Sequence, residues 1–361
     1  MHEYKAERFF IGLNNKFRSM WDAYEELKDT PHDITPVLEN ETFKNLKGLK
    51  INQDIDYDLV ALESIFKKYK NINLLYSGGA DSHTIAVKAR QLGLKFKKTL
   101  TIGAFTDKWD PRNRNWYNRG IHDFFKNDDS YEYYPIKIED WERVLDNPNW
   151  MHRHVDPHID PCGKLIDLPV YSDDDLYVGG QEDPQLFYRD NQWYLGYFHF
   201  SIINWWHVPN VYYFFGINKD HPEIAISSAR KIRDLYVSKF GQPTKKQFIF
   251  KTARGHNDNF INEYNKAMGR VVPTFSEHAI RQTIGAGMFN RNTNLRASWF
   301  FDQYREDLLD RIINGFVDIY KKYPTVKWDI PMFKPTSKFA WLVNIDTLEY
   351  IPADQTSSII N

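Results

Sequence analysis

Apolar positions along the middle of the chain alternate between helical and extended spacing. Over Tyr57–Lys70 (YDLVALESIFKKYK), Leu59, Leu62, Ile65 and Phe66 fall on one face with charges opposite, which predicts an amphipathic helix. Asn71–Asn73 breaks it. Ile72–Tyr76 is a short apolar run closed by Ser77-Gly78-Gly79. Behind it, HTIAVKARQLG runs at helical spacing to Gly93. The pattern predicts strand, tight glycine turn, helix capped by Asp81 or Ser82, and helix stop. Lys98–Phe105 reads as a second buried strand, Arg112–Phe125 as a second helix, and Glu132–Ile138 as a third strand whose Pro135 points to a sheet edge or a late start. After a connection punctuated by Asp156-Pro157, Asp160-Pro161 and Leu168-Pro169, the run Asp173-Asp174-Asp175 makes a turn. A fourth strand, Asp175–Val178, follows and ends at Gly179-Gly180.

Strands alternating with helices predict an α/β fold: a mostly parallel sheet with helices on both faces. Asn191–Asn218 contains no Asp, Glu, Lys or Arg, but His199, Asn204, His207, Pro209 and Asn210 interrupt it, so it is expected to be a buried core element rather than a membrane span. Pro222–Phe240 and Asp302–Tyr323 read as helices, and Lys338–Ile351 as a β-hairpin turning at Asn344–Asp346. The expected organisation is an N-terminal extension over 1–55, an α/β core over 56–220, and a largely helical C-terminal region over 221–361 with the terminal hairpin.

Composition narrows the chemistry. The 361 residues carry 47 Lys+Arg against 48 Asp+Glu, a balance unlike that of a nucleic-acid wrapper or a polybasic membrane binder. A single cysteine, Cys162, excludes an intrachain disulfide, a four-cysteine zinc site and an iron–sulfur cluster on this chain, and suits a reducing compartment. Met1–Phe10 is charged and lacks an apolar signal segment, so a cytosolic location is expected. With 25 Phe, 22 Tyr and 11 Trp the chain has ample material for a packed core.

The chemistry concentrates in Ser77-Gly78-Gly79-Ala80-Asp81-Ser82. Two glycines let backbone N–H groups converge without Cβ obstruction. Together with the positive end of the following helix they form an anion site suited to phosphate. Ser77 and Ser82 add hydroxyl donors. Asp81 would repel a bare phosphate, which implies a divalent cation between carboxylate and pyrophosphate. Neither the Walker loop nor the Rossmann glycine fingerprint occurs at this position. The plain alternative is a capped helix start after two turn glycines.

Leu74-Leu75-Tyr76-Ser77-Gly78-Gly79-Ala80-Asp81-Ser82 resembles the SGGxDS signature of the PP-loop, or N-type ATP pyrophosphatase, superfamily. The resemblance implies an adenine nucleotide alpha hydrolase-like fold, ATP cleavage between its α and β phosphates with Mg2+, adenylation of a carboxyl or similar oxygen, and attack by an amine. Two further segments are most similar to the synthetase domain of asparagine synthetases. Thr101-Ile102-Gly103-Ala104-Phe105 resembles the strand whose backbone holds adenine, with Ile102 and Gly103 at the matching places. Tyr177–Phe187 resembles the family's strand, glycine, acidic and Leu-Phe segment, with Gly179 and Gly180 in it. There the family has Asp-Glu directly before Leu-Phe, whereas this chain has Pro184-Gln185, and Glu182-Asp183 two positions earlier. The implied roles are Ser77, Gly78, Gly79 and Ser82 at the phosphates, Asp81 on Mg2+, and Asp183 or Glu182 completing the metal site. No glutaminase nucleophile is recognisable, so the resemblance implies a carboxylate and an amine as small-molecule substrates, with ammonia from solution or from a separate amidotransferase.

Weaker signals surround this one. His152, His154, His158 and Cys162 have zinc-compatible spacing but are read as residues lining the site's mouth. Arg112, Arg114 and Arg119 face either a nucleotide or solvent. Among Lys245, Lys246, Lys251, Arg254, Lys266 and Arg270, the resemblance implies one residue reaching back to departing pyrophosphate. Trp205-Trp206 and Tyr212–Phe215 are expected in the core or an interface. Two other functions stay open: nucleobase modification on tRNA or DNA through an adenylated oxygen, and a nucleotide-binding scaffold without turnover.

Overall fold

A computed structural model describes residues 4–5, 7–17, 22, 25–26, 35–103, 115–135, 138–146, 169–180, 185–198, 210–216, 218–249, 258–273, 307, 311, 314, 339–352 and 355. Its elements in chain order begin with β1 (Arg8–Gly12), β2 (Asn15–Phe17), β3 (Thr35–Leu38), α1 (Asn40–Lys44) and α2 (Tyr57–Lys68). Next come β4 (Ile72–Leu75), α3 (Ala80–Gln91), β5 (Lys98–Gly103), α4 (Asn115–Phe125), β6 (Tyr131–Pro135) and α5 (Ile138–Asp146). The chain continues with β7 (Leu176–Gly179), β8 (Gln185–Arg189), β9 (Gln192–Phe198), β10 (Val211–Tyr213) and α6 (Pro222–Phe240). The last are β11 (Gln247–Ile249), α7 (Asp258–Ala267), β12 (Phe339–Asn344) and β13 (Tyr350–Pro352).

The centre is a five-stranded sheet in the order β10-β7-β4-β5-β6, with every neighbouring pair parallel. The chain builds outward through β4, β5 and β6, then returns to the other side of β4 for β7 and β10. The strand order therefore reverses between β4 and β7, and open α/β sheets bind ligands beyond the carboxyl ends of strands at such a reversal. Period-2 alternation sorts the core onto the two faces. Ile72, Leu74, Leu176, Val178, Tyr212 and Phe214 pack with Leu62 and Ile65 of α2, Ile85 and Ala89 of α3, and Ile121 and Phe125 of α4. Leu100, Tyr177, Val211 and Tyr213 pack the opposite way, against Ala225, Ala229 and Ile232 of α6.

That second face is covered by more than a helix. A second five-stranded sheet, β11-β8-β9-β12-β13, is antiparallel throughout, and its Leu186, Tyr188, Trp193, Leu195, Trp341 and Val343 share the core with α6. The expected α/β class and parallel sheet hold, and this extra sheet corrects the picture of helices alone on both faces. The terminal hairpin is present. Its turn is longer than expected, running from Asn344, whose Oδ1 accepts from Asp346 N at 2.9 Å and Thr347 N at 3.0 Å, to Tyr350. Within Asn191–Asn218, β9 and β10 are core strands. Trp193, Leu195, Tyr212, Phe214 and Phe215 are buried. Pro135 ends β6 on the sheet edge, opposite Gly103. Most of Asp302–Tyr323 lies outside the described residues. No helix among them is long and apolar enough to cross a membrane.

Candidate functional site

The glycine turn stands at the strand-order reversal. Beyond Leu75 the chain stays tied to β5, because Tyr76 N donates to Leu100 O at 2.8 Å and Thr101 Oγ1 donates to Tyr76 O at 2.8 Å. Gly78 then adopts φ +75°, a left-handed conformation that glycine takes without steric cost, and the chain swings into α3. The helix is capped by Gly79, with no side-chain cap bond, so neither Asp81 nor Ser82 is the N-cap that the sequence pattern predicts. Both lie in the first turn instead. Ser82 Oγ ties the turn together: it accepts from Ser77 N at 3.2 Å, lies 3.2 Å from Ser77 Oγ, and donates to Gly79 O at 3.3 Å. Ser77 Oγ in turn accepts from Gly79 N at 3.3 Å. Two hydroxyls and the first N–H groups of α3 thus gather where the helix dipole favours an anion.

The end of β7 forms the other wall. Gly179 pairs with Leu75 across the ladder, and a Cβ built on Gly180 would lie 2.6 Å from Ser82 N and 2.8 Å from the Asp81 carbonyl carbon. Only glycine fits that approach. Ile102 and Gly103 close β5 on the same edge of the sheet, one strand away from the turn. The predicted residues Ser77, Gly78, Gly79, Asp81, Ser82, Ile102, Gly103, Gly179 and Gly180 are therefore gathered at one end of the parallel sheet. Glu182 and Asp183 lie outside the described residues, as do His152, His154, His158, Cys162, Arg112, Arg114, Lys251 and Arg254, and the side chain of Arg119.

Of the late basic residues that are described, Lys245, Lys246 and Lys266 are exposed, and Arg270 reaches the turn. Its Nε donates to Asp81 Oδ1 at 2.9 Å, its Nη1 lies 3.6 Å from Asp58 Oδ2, and its guanidinium carbon sits 3.2 Å from the centroid of the Phe215 ring. The Arg270 side chain is fully buried while Asp81 keeps a quarter of its surface. The adjacent backbone is anchored too: Val271 N donates to Thr84 Oγ1 at 2.8 Å, and Thr84 Oγ1 donates to Ala80 O at 2.7 Å. Asp58 passes the ion pairing on to Lys88, whose Nζ lies 2.8 Å from Asp58 Oδ2 and 2.8 Å from Asp56 Oδ2. Charges of opposite sign thus alternate from Asp81 through Arg270, Asp58 and Lys88 to Asp56.

Behind the turn, Tyr76 Oη and His83 Nδ1 share a hydrogen bond of 2.7 Å. Burial, helped by the positive charge of Arg90, lowers the His83 pKa to about 4, so its imidazole is neutral near pH 7. The sequence pattern assigns no role to the side chains of Tyr76, His83, Thr84, Thr101, Asp58 and Lys88, because their partners are neighbours brought up by the fold. The Asp173–Asp175 run does more than turn the chain, since Asp175 is buried, accepts from Asn73 Nδ2 at 2.9 Å and pairs with Lys97 at 2.7 Å.

Among the described residues no three His, Cys, Asp or Glu side chains gather as a metal site. No protein-family model, no curated protein and no solved structure matches the chain.

Proposed function

We propose that this chain is a PP-loop ATP pyrophosphatase-type ligase, which cleaves ATP to AMP and pyrophosphate, activates a carboxylate or similar oxygen, and forms an amide or other C–N bond. One observation carries the reading: the Ser77–Ser82 turn and the Gly179-Gly180 end meet at the strand-order reversal, so closely that a Cβ on Gly180 would strike Ser82 N at 2.6 Å. This supports a cradle built for a group that approaches backbone directly, as phosphate does.

The residues fit Mg·ATP. The N–H groups and hydroxyls of the turn supply anion donors, and Asp81 already engages a cation in the form of the Arg270 guanidinium. Asp81 would hold Mg2+, with Asp183 or Glu182 as the further carboxylate, and the bound ion would supply charge neutralisation of the pyrophosphate. Ser77, Gly78, Gly79 and Ser82 would bind and orient the phosphates. Ile102 and Gly103, at the end of β5, would hold the base. Among the described late basic residues Arg270 could exchange Asp81 for a phosphate oxygen, which makes it a candidate stabiliser of the leaving group. Catalysis on this scheme is positioning plus electrostatics. A cytosolic protein using small carboxylate and amine substrates is consistent with the balanced charge.

A second reading, nucleotide binding without turnover, is favoured by the same Arg270–Asp81 pair, because a buried guanidinium holds the carboxylate that the metal needs. The discriminating experiment supplies Mg·ATP, a pool of amino acids and ammonia, and follows AMP and pyrophosphate beside Asp81→Asn. AMP and pyrophosphate that vanish in the variant support the ligase. Bound ATP with no AMP supports the scaffold. ADP and phosphate would overturn both.

A further inference from the structure

Asp81 is the carboxylate of the turn that a divalent ion would need, and it already has a cation. Arg270 Nε donates to its Oδ1 at 2.9 Å, with the guanidinium fully buried and a quarter of Asp81 open to solvent. An ion arriving from solvent would therefore meet a carboxylate whose charge is balanced from the protein side.

Several independent contacts fix the guanidinium there. Past α7 the chain reverses at Gly269, φ +69°, where Arg270 N donates to Asn265 O at 2.8 Å, the six-to-one bond of a Schellman cap. That cap turns the chain back toward α3, and the next residue is fastened to it, because Val271 N donates to Thr84 Oγ1 at 2.8 Å. The Phe215 ring, with its centroid 3.2 Å from the guanidinium carbon, packs against the charged group. Asp58, the second carboxylate near Arg270, is shared with Lys88 at 2.8 Å, so Asp81 is the counter-charge on which Arg270 depends. A guanidinium keeps its proton throughout the physiological pH range. Deprotonation therefore does not lift the contact, and another anion has to replace Asp81 as the partner of Arg270.

A bare divalent ion brings only positive charge. It would have to share Asp81 with the guanidinium, and like charges so close disfavour each other. An ion that arrives bound to a polyphosphate also brings oxygens that can accept from the guanidinium, which releases the carboxylate to the metal. We propose that Arg270 is a built-in counter-cation that keeps the bare divalent ion off Asp81, so that the site takes metal only as its complex with a polyanion. The proposal rests on the reading that gives Asp81 to Mg2+, and adds the form in which the metal enters.

Mn2+ titration of the full chain without nucleotide, followed by the electron paramagnetic resonance signal of the free ion, tests this. The parent should show no site tighter than about 1 mM, and Asp81→Asn should change its Mn2+ binding by less than about twofold. Arg270→Gln retains an amide donor for Asp81 but carries no charge, and it should bind Mn2+ at least about tenfold tighter than the parent. Asp81→Asn in that background should abolish the gain. Arg270→Met is a second variant and should gain affinity as well. A damaged fold weakens binding, so tighter binding that depends on Asp81 has no origin in lost structure. Equal Mn2+ affinity in the parent and both variants, a gain that survives Asp81→Asn, or a tight parent site that Asp81→Asn removes would each overturn the proposal. Should neither Arg270 variant fold, the comparison of the parent with Asp81→Asn decides it. AMP formation by a parent with a tight bare-ion site at Asp81 would keep the ligase and sink this masking, whereas the Mn2+ gain in a chain that forms no AMP would keep the masking without the ligase.

Discussion

Arg270 Nε donates to Asp81 Oδ1 at 2.9 Å although 189 residues separate the two in sequence. The pair fastens the segment after α7 onto the first turn of α3, and Arg270 is wholly buried in doing so. Removing one member of a buried pair leaves the other uncompensated, which costs about 3–5 kcal/mol. Arg270→Met should therefore lower unfolding free energy by that order in urea titrations. In the Arg270→Met background, Asp81→Asn should cost clearly less than it does alone, the signature of coupling in a double-mutant cycle. Strictly additive effects would show that the two side chains are neighbours without being partners.

Gly179 and Gly180 are adjacent in sequence yet face opposite constraints. A Cβ on Gly179 meets nothing within 4 Å, whereas on Gly180 it would meet backbone at 2.6 and 2.8 Å. Backbone cannot step aside as a side-chain tip can, so the start of α3 would have to shift. Gly180→Ala should cost about 1–3 kcal/mol, as overpacking does, and should weaken Mg·ATP binding if the turn is a phosphate cradle. Gly179→Ala should stay within about 0.5 kcal/mol of the parent. Thermal melts of the two variants decide the point, and equal melting temperatures would refute it.

These positions also show what a sequence can and cannot reveal. The turn after Ile72–Tyr76 was legible because its information is local: an apolar run, two glycines, then helical spacing. Its cap was misread, because Asp81 and Ser82 are good capping residues whose side chains are drawn into other bonds, Asp81 to Arg270 and Ser82 to Ser77 and Gly79. Beyond its terminal hairpin, the antiparallel sheet is not legible in the sequence for a different reason. Leu186, Phe187 and Tyr188 are all buried, so β8 lacks the alternation that marks a half-exposed strand, and β9 pairs with β12 through Leu195 and Val343, far apart in the chain. Nothing local in the sequence marks Arg270 out among the late basic residues; that it, and not Lys245, Lys246 or Lys266, reaches the turn is a matter of tertiary approach.

His83 makes a pH-dependent contribution with a definite sign. Its folded pKa is about 4 against an ordinary value near 6.5, so the unfolded chain binds this proton more readily than the folded one. The stability it permits is fully present above about pH 6.5 and is lost as pH falls toward about 4. His83→Gln should flatten the acid side of the stability curve in that window relative to the parent, read as the difference between urea midpoints at matched pH. A parallel pair of curves would mean that His83 is protonated as easily in the fold as outside it.

The cluster around Lys88 separates three roles that one carboxylate type can play. Asp58 is buried to the same degree as Lys88, with 9% of each side chain exposed, while Asp56 retains 44%. Asp56 is also the N-cap of α2, its Oδ1 accepting from Asp58 N at 3.1 Å and Leu59 N at 3.4 Å. Asp58→Asn takes the negative charge from between Lys88 and Arg270 and should be the costliest change, at about 3 kcal/mol. Asp56→Asn keeps a capping oxygen and gives up only a solvent-screened charge, so it should cost less than about 1 kcal/mol. Asp56→Ala loses the cap as well and should fall between them, about 1 kcal/mol beyond Asp56→Asn. Urea unfolding of the three variants at low and high salt tests the order, with salt narrowing the deficit of Asp56→Asn and leaving that of Asp58→Asn nearly intact. An Asp56→Asn deficit as large as that of Asp58→Asn would place the working ion pair on the surface instead of under α2.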